Sequence, residues 1–150
     1  MRVYTCIMDD RCICTALRQA AALSTVHYDA ALAPSGIKVT MFRLLRRIEA
    51  AKSISITELA EIVGLDRSTL GRNLRVLEKQ SLVEIGTGKD ARSRRVSLTE
   101  VGRERLQAAV PLWQKAQREF SQIVGADAFA VLDRLIDPSG EEKQAIGDSA

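Results

Sequence analysis

Residues 55–98 constrain the fold of this 150-residue chain more than any other stretch. Ser55-Ile56-Thr57-Glu58 has the form of a capping box, in which the serine hydroxyl takes the amide three residues on and the glutamate reaches back. Leu59, Ala60 and Val63 then fall on one face of a short helix. Gly64 suits the left-handed residue that ends a helix. Leu65 plugs the turn, and Asp66 can cap a second helix by accepting from its free amides. Leu70, Leu74 and Leu77 recur at i, i+4 and i+7, which gives that second helix a buried stripe. Residues 82–85 have strand character, Gly86-Thr87-Gly88 supply a turn, and residues 94–98 return with Val96 and Leu98 on one face. Helix, tight turn, helix and ribbon in that order make a winged helix-turn-helix, an arrangement suited to duplex DNA.

The flanks are helical. Residues 12–33 carry Leu17, Ala20, Ala21, Ser24, Tyr28, Ala31 and Leu32 at three-and-four spacing, and Pro34-Ser35-Gly36 end that helix. Residues 40–51 form a second helix with Phe42, Leu45 and Ile48 inward and Arg43, Arg46 and Arg47 outward, followed by a short strand at 53–55. Thr99 caps a long helix whose stripe is Leu106, Val110, Trp113, Ala116, Phe120 and Ile123; Pro111 is expected to kink it and Gly125 to end it. Residues 128–136 read as a last helix with Phe129, Leu132 and Leu135 inward. Residues 137–150 are acidic, lack a stripe and read as a frayed tail. The expectation is one domain, mainly α with a small β-ribbon. Residues 40–98 form its winged lobe, and residues 12–33 and 99–136 form a helical dimerisation region.

The formal net charge is only +3. Between Arg67 and Arg95, however, eight basic residues face three acids, so that segment carries +5 and the remainder −2. A basic stripe confined to one module is the footprint of phosphate binding, although a solvated helix face gives the same count. On the second helix of the motif, the outward positions are Arg67, Ser68, Thr69, Arg72, Asn73 and Arg75. Arginine can fork onto guanine, asparagine onto adenine, and serine or threonine onto either or onto phosphate. Lys89, Arg92 and Arg94 surround the ribbon tip, where a cation can enter a narrow minor groove or pair with phosphates. Asp90 is expected to shape that tip by pairing with Arg92 or Arg94, and Arg95 serves equally as a ribbon salt bridge or a DNA contact. Gly71 sits mid-helix, where glycine costs about 1 kcal/mol against alanine. Close approach of the backbone to DNA and crowding against a neighbouring helix both explain it.

Glu58-Leu59-Ala60, the run from Gly64 to Thr69, residues 74–77 and 79–83, the Asp90-x-Arg92 wing and Leu98-Thr99-x-x-Gly102 together resemble the MarR family of bacterial transcription regulators. The resemblance covers roughly residues 14–136. It implies a homodimer formed by the first and the last two helices. It also implies a pseudo-palindromic operator, usually repressed, and release when a small phenolic ligand binds or a cysteine is modified. By that resemblance Arg67, Ser68, Thr69, Arg72 and Asn73 match the groove-reading positions and Arg92 the wing-tip arginine. Independently of it, the stripe from Leu106 to Ile123 is longer than a small winged domain can cover, and a second copy would bury it, although packing on residues 17–32 within one chain would also account for it.

The three cysteines, Cys6, Cys12 and Cys14, all precede the core. Met8 offers an alternative start that would leave Cys6 out. A thiol at a helix amino terminus has its pKa lowered, which favours the reactive thiolate, and Arg11 and Arg18 act in the same sense. The placement resembles that in hydroperoxide sensors of the OhrR type, but Tyr4 and Tyr28 are the only tyrosines available as partners. Three sulfurs from one chain also suit a soft trigonal metal or metalloid better than zinc, and filler near a chain end is the plainer reading. His27, Phe42, Arg46 and Trp113 are candidates for lining an organic-ligand pocket, though aromatic residues more often fill cores.

Other classes find little support. The single histidine lacks a nearby nucleophile, Gly86-Thr87-Gly88-Lys89 is too short for a phosphate loop, and only a Cys-x-Cys oxidoreductase remains as an enzyme reading. Nothing calls for a cofactor. No apolar run reaches the roughly 18 residues of a membrane span, and the amino terminus lacks an apolar stretch of signal-peptide length, so a cytoplasmic protein is expected. A winged-helix adaptor that binds protein rather than DNA is the remaining alternative.

Overall fold

The computed structural model describes residues 12–88 and 94–137. Cys6, the ribbon tip with Lys89, Asp90 and Arg92, and the tail beyond Asp137 lie outside the described residues.

Helix α1 (Ile13–Leu32) buries only Leu32 within the chain. Pro34 cannot extend it, and the backbone closes in a 3₁₀ turn at Ala33–Ser35 that ends at Gly36, φ 68°. The next helix, α2 (Val39–Ala51), starts after Lys38, which carries no oxygen to cap it. Asp29 of α1 does so instead: its Oδ1 accepts the Val39 amide at 2.8 Å. Phe42, Leu44, Leu45 and Ile48 of α2 are buried, while Arg43, Arg46 and Arg47 point outward.

Strand β1 (Ser53–Ser55) leads into α3 (Ile56–Val63), and both halves of the capping box form: Glu58 N donates to Ser55 Oγ and Ser55 N to Glu58 Oε2, each at 3.1 Å. Gly64 takes the left-handed conformation at φ 66°. Asp66 caps α4 (Arg67–Lys79), whose Leu70, Leu74 and Leu77 are buried completely. Strands β2 (Val83–Thr87) and β3 (Arg94–Leu98) complete an antiparallel sheet of order β1-β3-β2. Ile54, Val96 and Ile85 lie side by side in its register and turn one face of the sheet to the core. The ribbon is longer than the sequence suggests. Gly86 and Thr87 do not turn the chain but pair with Arg95 and Arg94, because ladder bonds are made by the backbone and the opposite strand supplies partners for both.

Thr99 Oγ1 accepts the Gly102 amide at 2.9 Å and starts α5 (Glu100–Val124), a helix that contains Pro111. Its Leu106, Ala109 and Ala116 are buried; farther along, Phe120 is half-buried and Ile123 is 72% exposed. Helix α6 (Ala128–Ile136) departs from the sequence expectation. Phe129, Leu132 and Leu135 are 62%, 43% and 54% exposed, and the helix buries no residue in its own chain. Its apolar stripe is real, but no element among the described residues buries it. Among the described residues no helix is long and apolar enough to cross a membrane.

Candidate nucleic-acid interface

The outward face of α4 is ordered by its own cap. Asp66 Oδ1 accepts the Thr69 amide at 2.8 Å and Oδ2 the Thr69 hydroxyl at 2.6 Å. These bonds, hydroxyl first, hold the Asp66 carboxyl below the ordinary aspartate range. Arg72 Nη2 reaches Thr69 Oγ1 at 3.5 Å, so Thr69 links the cap to the second turn. The Asp66 carboxylate at the start of α4 is therefore already bonded, and Glu58 is likewise committed to Ser55, which lowers its pKa.

Arg67 does not extend freely from the helix start. Its Nη2 donates to Thr57 Oγ1 and joins the first turns of α3 and α4. Ser68, Arg72 and Arg75 are exposed, and Asn73 is half-buried. A Cβ placed on Gly71 would meet nothing within 4 Å, which removes crowding by a neighbouring helix as the reason for glycine there. The resulting surface has an open backbone patch at Gly71 flanked by the exposed Arg72 and Arg75 and the half-buried Asn73.

On the ribbon, Arg94 is exposed at the start of β3. Arg95 is not free, and among the described residues it makes no salt bridge on the ribbon: Nε donates to Ser53 Oγ at 3.1 Å and Nη2 to Ser53 O at 2.6 Å, tying β3 to β1. Thr57 and Ser53, which position Arg67 and Arg95, carry no motif of their own and were not legible as functional in the sequence. Their roles arise from contacts across ten and forty-two positions of chain.

Two further features flank this surface. A cavity of about 650 Å³ opens between α1, α2 and α5. Phe42, Arg46 and Trp113 line it as expected, with the Phe42 and Trp113 rings stacked at 5.5 Å and 23°. His27 does not line it. It lies on the side of α1 turned toward α5, with Nε2 3.3 Å from Ala116 O and its ring 5.4 Å from that of Phe120. At the amino end of α1, Cys12 is the N-cap residue, and both Cys12 and Cys14 are exposed. The amide and hydroxyl of Thr15 and the amide of Cys14 lower the Cys12 pKa. No group of three His, Cys, Asp or Glu side chains stands ready to hold a metal among the described residues.

A sequence model of the MarR family matches residues 35–93. The chain is 38% identical to the M. tuberculosis transcriptional regulator MosR, solved in complex with DNA; the match covers 86% of this chain and 98% of that one, with a TM-score of 0.74. Two more distant structures share the fold. A cysteine-to-serine mutant of E. coli MarR complexed with operator DNA is 24% identical over 84% of this chain and 91% of its own, TM-score 0.74. A probable transcriptional regulator from Pseudomonas aeruginosa is 22% identical over 85% and 96%, TM-score 0.75. No curated protein matches the chain.

Proposed function

The chain belongs to the MarR family of transcription regulators, and from that premise we propose that it binds a pseudo-palindromic operator as a homodimer and represses the promoter there. The observation that carries this reading is the outer face of α4, where Ser68, Arg72, Asn73 and Arg75 surround an unobstructed Gly71 while the Asp66 and Glu58 carboxylates are taken up by helix caps. Arg72 and Asn73 read base edges. Arg67, Ser68, Thr69 and Arg75 contact phosphates at the groove rim, together with Arg94 and the wing residues Lys89 and Arg92. Thr57 fixes the direction of Arg67. Two copies joined through α1, α5 and α6 set their recognition helices about 34 Å apart, one turn of duplex. The DNA complex of MosR supports the partner.

Selection of bound fragments from randomised DNA, followed by titration against salt, tests this directly. The expected result is a two-half-site sequence whose affinity falls steeply with salt. Arg72→Ala is expected to weaken it by about 1–3 kcal/mol and to relax one base position. A chain that shows no salt-dependent DNA binding is instead an adaptor using the same fold.

Release of the operator has two proposed routes. A ligand in the cavity between α1, α2 and α5 would hold the winged lobe against the dimer helices in a spacing the operator does not accept. The lowered pKa of the exposed Cys12 favours a second route, in which an oxidant or thiophilic metalloid modifies the Cys12–Cys14 pair. DNA affinity of wild type and of a variant with Cys6, Cys12 and Cys14 all replaced by serine, with and without peroxide or arsenite, separates them: identical responses in both proteins remove the thiol route.

A further inference from the structure

We propose that the cavity between α1, α2 and α5 is built for an aromatic polyanion, a planar ring system carrying two or more negative charges as in an aryl phosphate or a nucleotide, rather than for a phenol or a simple aromatic monoacid. This rests on the reading that the cavity takes a ligand and names the class. Arg43, Arg46 and Arg47 all line it, spaced i, i+3 and i+4 on one face of α2. Among the described residues no aspartate or glutamate lines it, and none of the three arginines makes an ion pair. Like charges at this spacing repel along a helix, so the cluster is left unstable by a modest amount that a multivalent anion would reverse. Guanidinium groups bind phosphate oxygens in paired hydrogen bonds, and three of them exceed what one carboxylate can use. Phe42 and Trp113, stacked on each other, also line the cavity and put aromatic carbon beside the arginines for a ring to pack against. Tyr28 closes the third side, its hydroxyl already donated to Gln117 Oε1, which leaves the charge recognition to α2. At about 650 Å³ the space lies in the middle of the range occupied by drug-sized ligands.

The test uses the full chain, with Trp113, its only tryptophan, as reporter, alongside calorimetry. The probes are phenol, benzoate, phenyl phosphate, ATP and inorganic tripolyphosphate. The ring-bearing phosphates are expected to bind at least about tenfold more tightly than benzoate, as one added charge-assisted bond implies. Tripolyphosphate should leave Trp113 unmoved. Arg43→Gln with Arg47→Gln should erase the preference. Ala50→Phe, on an exposed residue of the cavity wall, should block every ring-bearing probe. Phenol or benzoate binding as well as the phosphates, unaffected by the arginine variants, overturns the polyanion class and leaves the ligand reading standing. Silence from all five probes overturns both. Phosphate binding that persists in Ala50→Phe without a Trp113 response assigns the polyanion to the basic face of α4 and overturns the proposal.

Discussion

Gly102 in the first turn of α5 lies against the backbone carbonyl of Leu82, so closely that a Cβ on Gly102 would stand 1.9 Å from the Leu82 oxygen. The same oxygen accepts the Thr99 amide at 3.2 Å, and Thr99 Oγ1 donates to Ser81 O at 2.6 Å. These contacts fasten the winged lobe to the long helix at one point. Because the obstacle is backbone, it cannot rotate aside. Gly102→Ala is therefore expected to cost on the order of 3 kcal/mol, at the upper end of overpacking effects. Chemical denaturation checks this; a variant as stable as wild type would show that the junction can slide.

Gly71 gives the opposite sign. Its surroundings are empty and it carries no left-handed φ, so alanine fits the helix. Gly71→Ala should raise stability by about 1 kcal/mol through helix propensity. If the bare backbone approaches DNA, the same methyl group should weaken operator binding. Melting temperature and DNA affinity measured on one preparation should move in opposite directions, and a gain in both would remove Gly71 from the interface.

The cap of α4 predicts a pH dependence. Asp66 has its folded-state pKa depressed by the Thr69 hydroxyl and amide, so its contribution to stability is present above the unfolded pKa and is lost as pH falls through the folded one. Asp66→Ala should lower the melting temperature at neutral pH and lower it less at strongly acidic pH, where the wild-type carboxyl is itself protonated. Asp66→Asn, which still caps, should keep most of the neutral-pH stability and lose the pH dependence at that site. Equal destabilisation by alanine at both pH values would mean that the charge is irrelevant.

What the sequence made legible was local. The caps at Ser55, Asp66 and Thr99 each depend on an oxygen and an amide three residues apart, and all three form. The outward side of α4 followed from the spacing of Leu70, Leu74 and Leu77, which are buried and so fix what remains outside. Non-local relations were not legible. The turn assigned to Gly86-Thr87-Gly88 ignored the partners that Arg94 and Arg95 offer the ladder. His27 was placed in the cavity, although its direction depends on how α1 is rotated against α5. Asp29 capping Val39 spans a 3₁₀ turn that no helix-start pattern describes. For α6, periodicity correctly showed an apolar face but could not say that the face is left exposed among the described residues.

That last face gives the most direct test of assembly. None of Phe129, Leu132 and Leu135 is buried among the described residues, and Ile123 at the end of α5 and Ile136 at the end of α6 are 72% and 79% exposed. A second copy accounts for so much unpaired surface on two adjoining helices. Leu132→Glu with Leu135→Glu removes apolar area and sets like charges across the proposed two-fold, while leaving the winged lobe's core untouched. Light scattering should then show a single subunit with unchanged helix content. Operator affinity should fall on the order of 100-fold, since each half-site would be held by a separate molecule. A double variant that stays dimeric and keeps full affinity would place the interface on other helices.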